Sequence, residues 1–530
     1  SSNNTFTGQT DIDGGIIQAN HNNAFGTGAV NINTGANQLV LNTGITLSNA
    51  ITINTGVSPG IGNGAIQALN GGTLQGTLTI NALTTNGGHL VAGTGANRLL
   101  VSGSVTSSVY ISIRSGDVRF NGGGSYNSIL FGNGTLSIGA NNGINTSVAL
   151  TVQKSWGNAT FDLNGFNQTI TGITEEVSAN TFTITNNGAT ASVFTMNNTT
   201  DCAMTGVIQN GTQSVSIVKS GSGMFTLSGA NTYTGSTTVS GGTLRAGNDA
   251  ALGTAASGTT INTGATFDIN GYSLGTEAFV LSGGSIVNNG ATNIYAIQKL
   301  TVTATSTIGG SGRWDVRNNG LADAGVTINS GVTLTKQNAN SVYFVNIPVV
   351  NNGTIVIDNS YLFLENNCAT SGSGTYTVNS AGILGLIAWG AGVTLNNNVT
   401  VQNGGTIFSD NNTGGNSSIA GNVSISGTIT ISNSVTFSIA GVISGTGGIT
   451  KIAAGNLTLS AANTYTGETV VIEGILRIGS NGTTGSVVSN ITNNATLQFR
   501  RTNTITYAGV ISGTGTIEIG GGGTTTGTVI

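Results

Sequence analysis

The chain has 530 residues, of which only 6% are charged, with a formal net charge of −4. Soluble proteins ordinarily carry about 25% charged residues. Here Gly, Thr, Ser and Asn take their place, and no basic stripe remains to hold a phosphate backbone, which argues against nucleic acid as a partner. No window of 18 consecutive apolar residues exists, so no stretch is expected to cross a membrane as a helix.

Hydrophobic residues still make up 37% of the chain, many of them Val, Ile and Leu, enough apolar surface to offset the entropy of ordering. From residue 27 to 150 they come as doublets: Leu39 and Leu41, Ile45 and Leu47, Ile51 and Ile53, then Leu74, Leu78 and Ile80. The period is two, interrupted by turn formers such as Asn54-Thr55-Gly56 and Asn70-Gly71-Gly72, which predicts short strands. The same grammar continues through Leu136 and Ile138, residues 148–152 and residues 422–447, and no dozen residues sustain a helical period. Pro59 and Pro348 are the only prolines, as a continuous hydrogen-bonded ladder requires.

An echo joins ATFDLNGF at 159–166 to ATFDINGY at 265–272, with a trace, NATLQF, at 494–499. Alternation places Phe161 and Leu163 on one face and Asp162 on the other, and likewise Phe267, Ile269 and Asp268, each strand running into an Asn-Gly corner. Short strands without helices or hairpin register predict an all-β fold: a single elongated parallel β-solenoid (β-helix) of roughly 20 to 30 residues per turn and on the order of 20 turns. Corner Asn amides are expected to bond the turn above. The alternative, a β-sandwich array, would carry regular proline and charged edge residues, which are scarce here.

The strongest repeat pairs residues 219–247, KSGSGMFTLSGANTYTGSTTVSGGTLRAG, with residues 451–479, KIAAGNLTLSAANTYTGETVVIEGILRIG, identical at 17 of 29 positions. These segments resemble the autotransporter-associated β-strand repeat, also called the passenger-associated transport repeat, and ATFDINGY is similar to the segment that often follows it. The resemblance implies an extracellular, right-handed β-solenoid passenger on a Gram-negative-type surface, with the repeat assisting folding and secretion; crossover geometry favours the same hand. Members typically continue into a membrane β-barrel. No such segment is read here, so self-translocation is not assigned to this chain. The start at Ser1 suits a mature exported protein or a trimmed chain.

Residues 4–26 match 231–253 at 10 of 23 positions, with Phe6, Ile12, Ile17 and Phe25 standing for Tyr233, Val239, Leu244 and Leu252. Residues 509–515, GVISGTG, are identical to 441–447. The chain therefore divides into a half-repeat at 1–26, solenoid at 27–205, a full repeat at 206–253, solenoid at 254–437, a second full repeat at 438–488 and a half-repeat at 489–530. The two halves are complementary, which predicts head-to-tail polymerisation by strand stacking into a surface or matrix filament. The expected interface is Asn4, Phe6, Ile12, Ile16 and Ile17 at one end and Val510, Ile511, Ile517, Ile519, Val529 and Ile530 at the other. The partner is thus the chain itself. Asp11 and Asp13 would blunt the first rung. The alternative is a monomeric autotransporter-type adhesin passenger that meets cell-surface glycans or matrix.

Candidate chemistry is sparse. Arg313, Asp315 and Arg317 share one strand face opposite Trp314 and Val316, read as an exposed ion pair beside an inward Trp, with a sugar-binding patch or a polysaccharide-active site as the other readings. Arg114, Asp117 and Arg119 form a looser analogue. Glu175-Glu176 reads as a solvated turn, and His21 and His89 lack partners at metal spacing. Gly309-Gly310-Ser311-Gly312 starts like a calcium-binding nonapeptide but has its Asp one position late. Cys202 and Cys368, 166 positions apart, are expected not to pair. Tyr343-Phe344 and Tyr361-Leu362-Phe363 are corner candidates for a glycan or cell ligand. No catalytic residue, metal or cofactor is assigned, and the chain is read as a non-enzyme.

Overall fold

The computed structural model describes residues 3–33, 37–54, 64–81, 88–93, 97–411 and 415–520, organised as two units, Ser1–Thr259 and Thr260–Ile530. The fold is all-β: the paired strands of each unit lie parallel, and helix is reduced to short 3-10 turns such as Lys154–Trp156. The two units together hold about 22 turns of β-solenoid.

In the first unit, residues with the same inward parity stack turn upon turn. Ile12, Ile32, Ile53 and Ile80 form one such column, each at most 1% exposed. Leu74, Val101, Phe120 and Ile138 form another. In the second unit Val342, Leu362, Leu384, Ile407 and Ile431 do the same, fully buried. Alternation thus settles which face of each strand is core, and stacking buries what a single turn would leave wet. Turn length is uneven, from 18 residues between Ile111 and Ile129 to 28 between Ser306 and Leu334.

Asparagine makes the corners. Among the described residues, the non-glycine positions with positive φ are Asn apart from Ala381 and Ala453, since a short amide tolerates the left-handed region. Asn164 and Gly165 (φ 50° and 86°) and Asn270 and Gly271 (φ 53° and 82°) are the expected Asn-Gly corners. Both are braced identically. Asp162 Oδ1 accepts the Asn164 and Asn187 amides, and Asp268 Oδ1 accepts those of Asn270 and Asn289. Asn186 and Asn288 then accept Gly165 N and Gly271 N, the turn-to-turn amide bonding that the composition suggested.

Three lysines sit inside the core columns. Lys219 stacks between Met196 and Val239, Lys451 between Ile431 and Val471, and Lys336 between Ile308 and Ile357, all with no exposed surface. Each stem fills an aliphatic position while the ammonium turns into a corner and donates to main-chain carbonyls: Gly221 O and Gly241 O for Lys219, Ile452 O and Ala453 O for Lys451, Gln337 O and Asn338 O for Lys336. Burial pulls these ammonium groups down to about 8 in Lys219 and Lys451 and about 7 in Lys336.

Candidate functional site

The repeated ANTYTG segments share one buried polar kernel. Asn231 and Asn463 are 3% and 1% exposed, and each bridges neighbouring turns. Asn231 Oδ1 accepts Ile208 N at 2.8 Å, and its Nδ2 donates to Ala251 O at 2.6 Å. Asn463 Oδ1 accepts Ile443 N at 2.9 Å, and its Nδ2 donates to Ser486 O at 3.0 Å. Two residues on, the fully buried Tyr233 and Tyr465 each share a 2.7 Å hydrogen bond with the threonine four residues later, Thr237 and Thr469. The following glycine is needed for close approach: a Cβ on Gly235 would lie 2.2 Å from Val215 O, and one on Gly467 2.4 Å from the Gly447 carbonyl carbon. The kernel satisfies backbone groups that regular strand pairing leaves over between turns.

The family model described as passenger-associated-transport-repeat matches residues 1–19, 217–246 and 449–478, the latter two being the segments that carry this kernel. The chain carries the passenger-associated transport repeat. Among curated proteins, a 53-residue stretch is 51% identical to the adhesin BmaC autotransporter of Brucella suis biovar 1 (strain 1330), covering 10% of this chain and 2% of that protein. No solved structure matches.

The match at residues 1–19 holds part of the same transport-repeat kernel. Asn4 Nδ2 donates to Ala24 O at 2.6 Å, and Thr27 N donates to Phe6 O as Thr254 N does to Tyr233 O. Here no described turn precedes the copy. Phe6 is 44% exposed where Tyr233 is 0%, and a Cβ on Gly8 would meet nothing within 4 Å.

Of the remaining residues expected to form an assembly face, Ile12 is already closed into the core against Ile32, Ile17 is half-buried, and Ile16 is 65% exposed. At the other end Ile511 is half-buried and Val510 exposed. Ile517 and Ile519 stack in register on buried Leu497 and Phe499 yet remain half exposed. Val529 and Ile530 lie outside the described residues.

In the second unit two sequence candidates converge on one outward patch. Arg313, Asp315 and Arg317 do share a face, with Trp314 inward, fully buried and donating to Gly309 O. Asp315, however, is not an exposed ion-pair partner: its carboxylate is fully covered, accepting Arg313 Nε at 3.0 Å and Arg317 Nη2 at 2.8 Å. Arg313 in turn lies 3.6 Å over the Tyr343 ring, which stacks on Phe363 at 4.5 Å. Phe363 meets Phe408 edge-on at 6.1 Å, across Gly385, which stands between them in register. Burial, the largest single influence, would lower the Arg313 guanidinium, but the Asp315 hydrogen bond and the attraction of Asp315, Tyr343 and Glu365 together outweigh it and leave it raised. With both oxygens of Asp315 held by arginine and the ring faces occupied by one another, the patch is a rigid clasp rather than an acid–base pair. Phe344 and Leu362 point into the core and Tyr361 stays outward.

Other candidates resolve into structure. Glu175 is not in a solvated turn. It accepts Thr205 N and Gly206 N and pairs with Lys154 at 3.2 Å, both side chains nearly covered, because the next turn folds over it. Glu176 accepts Ser155 N. His89 is buried, its Nδ1 accepting Ser112 N. Arg114 covers Trp156 at 4.4 Å, while Asp117 and Arg119 lie beyond Gly116 (φ 78°), where the strand passes from one ladder to another. Cys202 and Cys368 are free thiols, and burial pushes Cys368 up to about 12.

Proposed function

We propose that the chain is part of the exported passenger of an autotransporter-type adhesin, a non-enzymatic β-solenoid presented at the cell surface or released outside it. The observation that carries this reading is the transport repeat found in both units with one kernel geometry, together with the adhesin relative. Each copy is a self-consistent hydrogen-bonded module, and neighbouring turns then propagate by stacking, which suits a chain that folds as it emerges from a membrane. The clasp around Asp315 supports a scaffold over a catalyst. Fluorescently labelled chain should adhere saturably to animal cell layers or immobilised matrix. Adherence no greater than that of an unrelated β-solenoid would count against the adhesin reading.

The half-kernel at Asn4 favours a second reading, end-to-end stacking of copies. In the complete copies the Asn oxygen accepts a hydrogen bond from Ile208 N or Ile443 N of the turn before. The segment around Ile511 is identical to that around Ile443, so a stacked copy would bring Ile511 N to Asn4 Oδ1 and cover Phe6. Negative-stain microscopy should show filaments that disappear when residues 1–26 are removed. Isolated particles of one length would overturn stacking and leave the half-kernel to a further turn of a longer polypeptide.

A further inference from the structure

The first unit carries a cleft of about 540 Å³ that neither the repeat nor the clasp explains. It opens on the outward face of a sheet, where Thr46, Thr73, Leu100, Arg119 and Ser137 follow one another in register. The uncharged side chains of Thr73 and Leu100 line it. Arg98, Arg119, Asn164 and Phe166 stand around it, with Asn70 and Asn121 nearby. The volume lies within the range of pockets that hold small organic ligands, about 300–1,000 Å³.

The walls are fixed before any ligand arrives. Arg119 Nε donates to Ser137 Oγ at 3.3 Å and Nη2 to Asn164 Oδ1 at 3.0 Å, committing two of its five donors. Asn164 sits in the Asn-Gly corner (φ 50°), its Nδ2 donating to Ile138 O and its own amide to Asp162 Oδ1. The side-chain oxygen of Asn121, buried beside the cleft, has no hydrogen-bond partner among the described residues. That oxygen is covered by the turn at Gly139, so it belongs to the wall of the cleft and not to the groups that face a bound molecule.

Arg119 is acted on by burial first, then by repulsion from Arg98, and the opposing attraction comes from Asp162 and Asp117. The charged groups lining the cleft are Arg98 and Arg119; Asp117, two residues before Arg119 on its strand, and Asp162, one rung beyond Ser137, offset part of that charge from outside the lining. The lining presents planar donors and amides, which hydrogen-bond adjacent hydroxyls, and a half-exposed Phe166 ring beside Leu100, which covers the apolar face of a sugar.

We infer that this cleft binds a short neutral oligosaccharide, the arginine and asparagine groups taking hydroxyls and Phe166 packing on a ring face. As the adhesin's ligand contact this rests on the passenger reading above; as a binding site it stands on the cleft alone.

The test is titration of purified full chain with short neutral hexose oligosaccharides, a uronic-acid oligosaccharide and inorganic phosphate, read by calorimetry. Saturable binding of at least one neutral oligosaccharide is expected. Arg119→Ala and the cleft-filling Thr73→Trp should each weaken it by about tenfold or more, while Tyr343→Ala in the clasp of the second unit leaves it unchanged. Thr73 is outward and half-buried, so Thr73→Trp keeps the core intact, checked by an unchanged melting curve. No neutral ligand bound, binding only of the uronate or phosphate, or binding that survives Thr73→Trp would each overturn the assignment. Binding to sugars without adherence to cells would refute the adhesin reading and leave the cleft standing.

Discussion

Asn4 and Asn231 make the same hydrogen bond: each side-chain amide donates to an alanine carbonyl twenty residues further on, Ala24 O and Ala251 O, both at 2.6 Å. They differ on the other side. Asn231 also accepts Ile208 N from the preceding turn, whereas no described turn precedes Asn4. The asparagine of the transport repeat is therefore a staple between turns, and its worth depends on how many turns it reaches.

Asn231→Ala should leave Ile208 N and Ala251 O unpaired in a dry interior, costing about 2–4 kcal/mol. Asn463→Ala should behave alike. Asn4→Ala, exposed and with one bond to lose, should cost about 1 kcal/mol or less. Urea unfolding of the three variants checks the ranking; equal losses at Asn4 and Asn231 would contradict the staple.

The core lysines give a pH dependence with a definite sign. Lys336 lies at about 7 and Lys219 and Lys451 at about 8, against 10.5 for the exposed group. Between those values the unfolded chain holds more protons, so stability rises with pH. The rise should be seen from about pH 7 to about pH 9, beyond which the buried Cys368 thiol, raised to about 12, begins to oppose it. Urea midpoints at pH 7 and pH 9 measure the effect, and Lys336→Met should flatten the slope.

Those lysines also mark where the sequence stops being legible. Period-two alternation placed Leu39, Leu41, Ile51 and Ile53 inward, and the Asn-Gly corners after Asp162 and Asp268 followed from local turn chemistry. Both signals are local. A lysine reads as solvated from its charge, and only the corner carbonyls two residues away in the fold reverse that. The meeting of Arg313 with Tyr343, and the burial of Glu175 under Thr205, depend on register between turns of uneven length, which no fixed period supplies.

The aromatic clasp is expected to be sensitive to a single methyl group. An alanine Cβ at Gly385 would fall 2.1 Å from the Phe363 ring, so Gly385→Ala must displace that ring from Tyr343. A loss of about 1–3 kcal/mol and a changed near-ultraviolet dichroism should follow. Asp315→Asn should cost about 2–4 kcal/mol by leaving two guanidinium groups without their carboxylate. An unaltered spectrum in Gly385→Ala would contradict the stacked arrangement.

The most direct measurement is surface display. The chain, fused ahead of an autotransporter barrel in a Gram-negative host, is scored by protease accessibility on intact cells, alongside the double variant Asn231→Ala, Asn463→Ala. The wild-type chain should reach the surface as a protease-resistant fold, and the double variant should arrive in reduced amount or in a protease-sensitive form. A wild-type chain retained inside the cell, or a double variant displayed and resistant to the same degree, would show that these repeats do not act as the folding modules of an exported passenger.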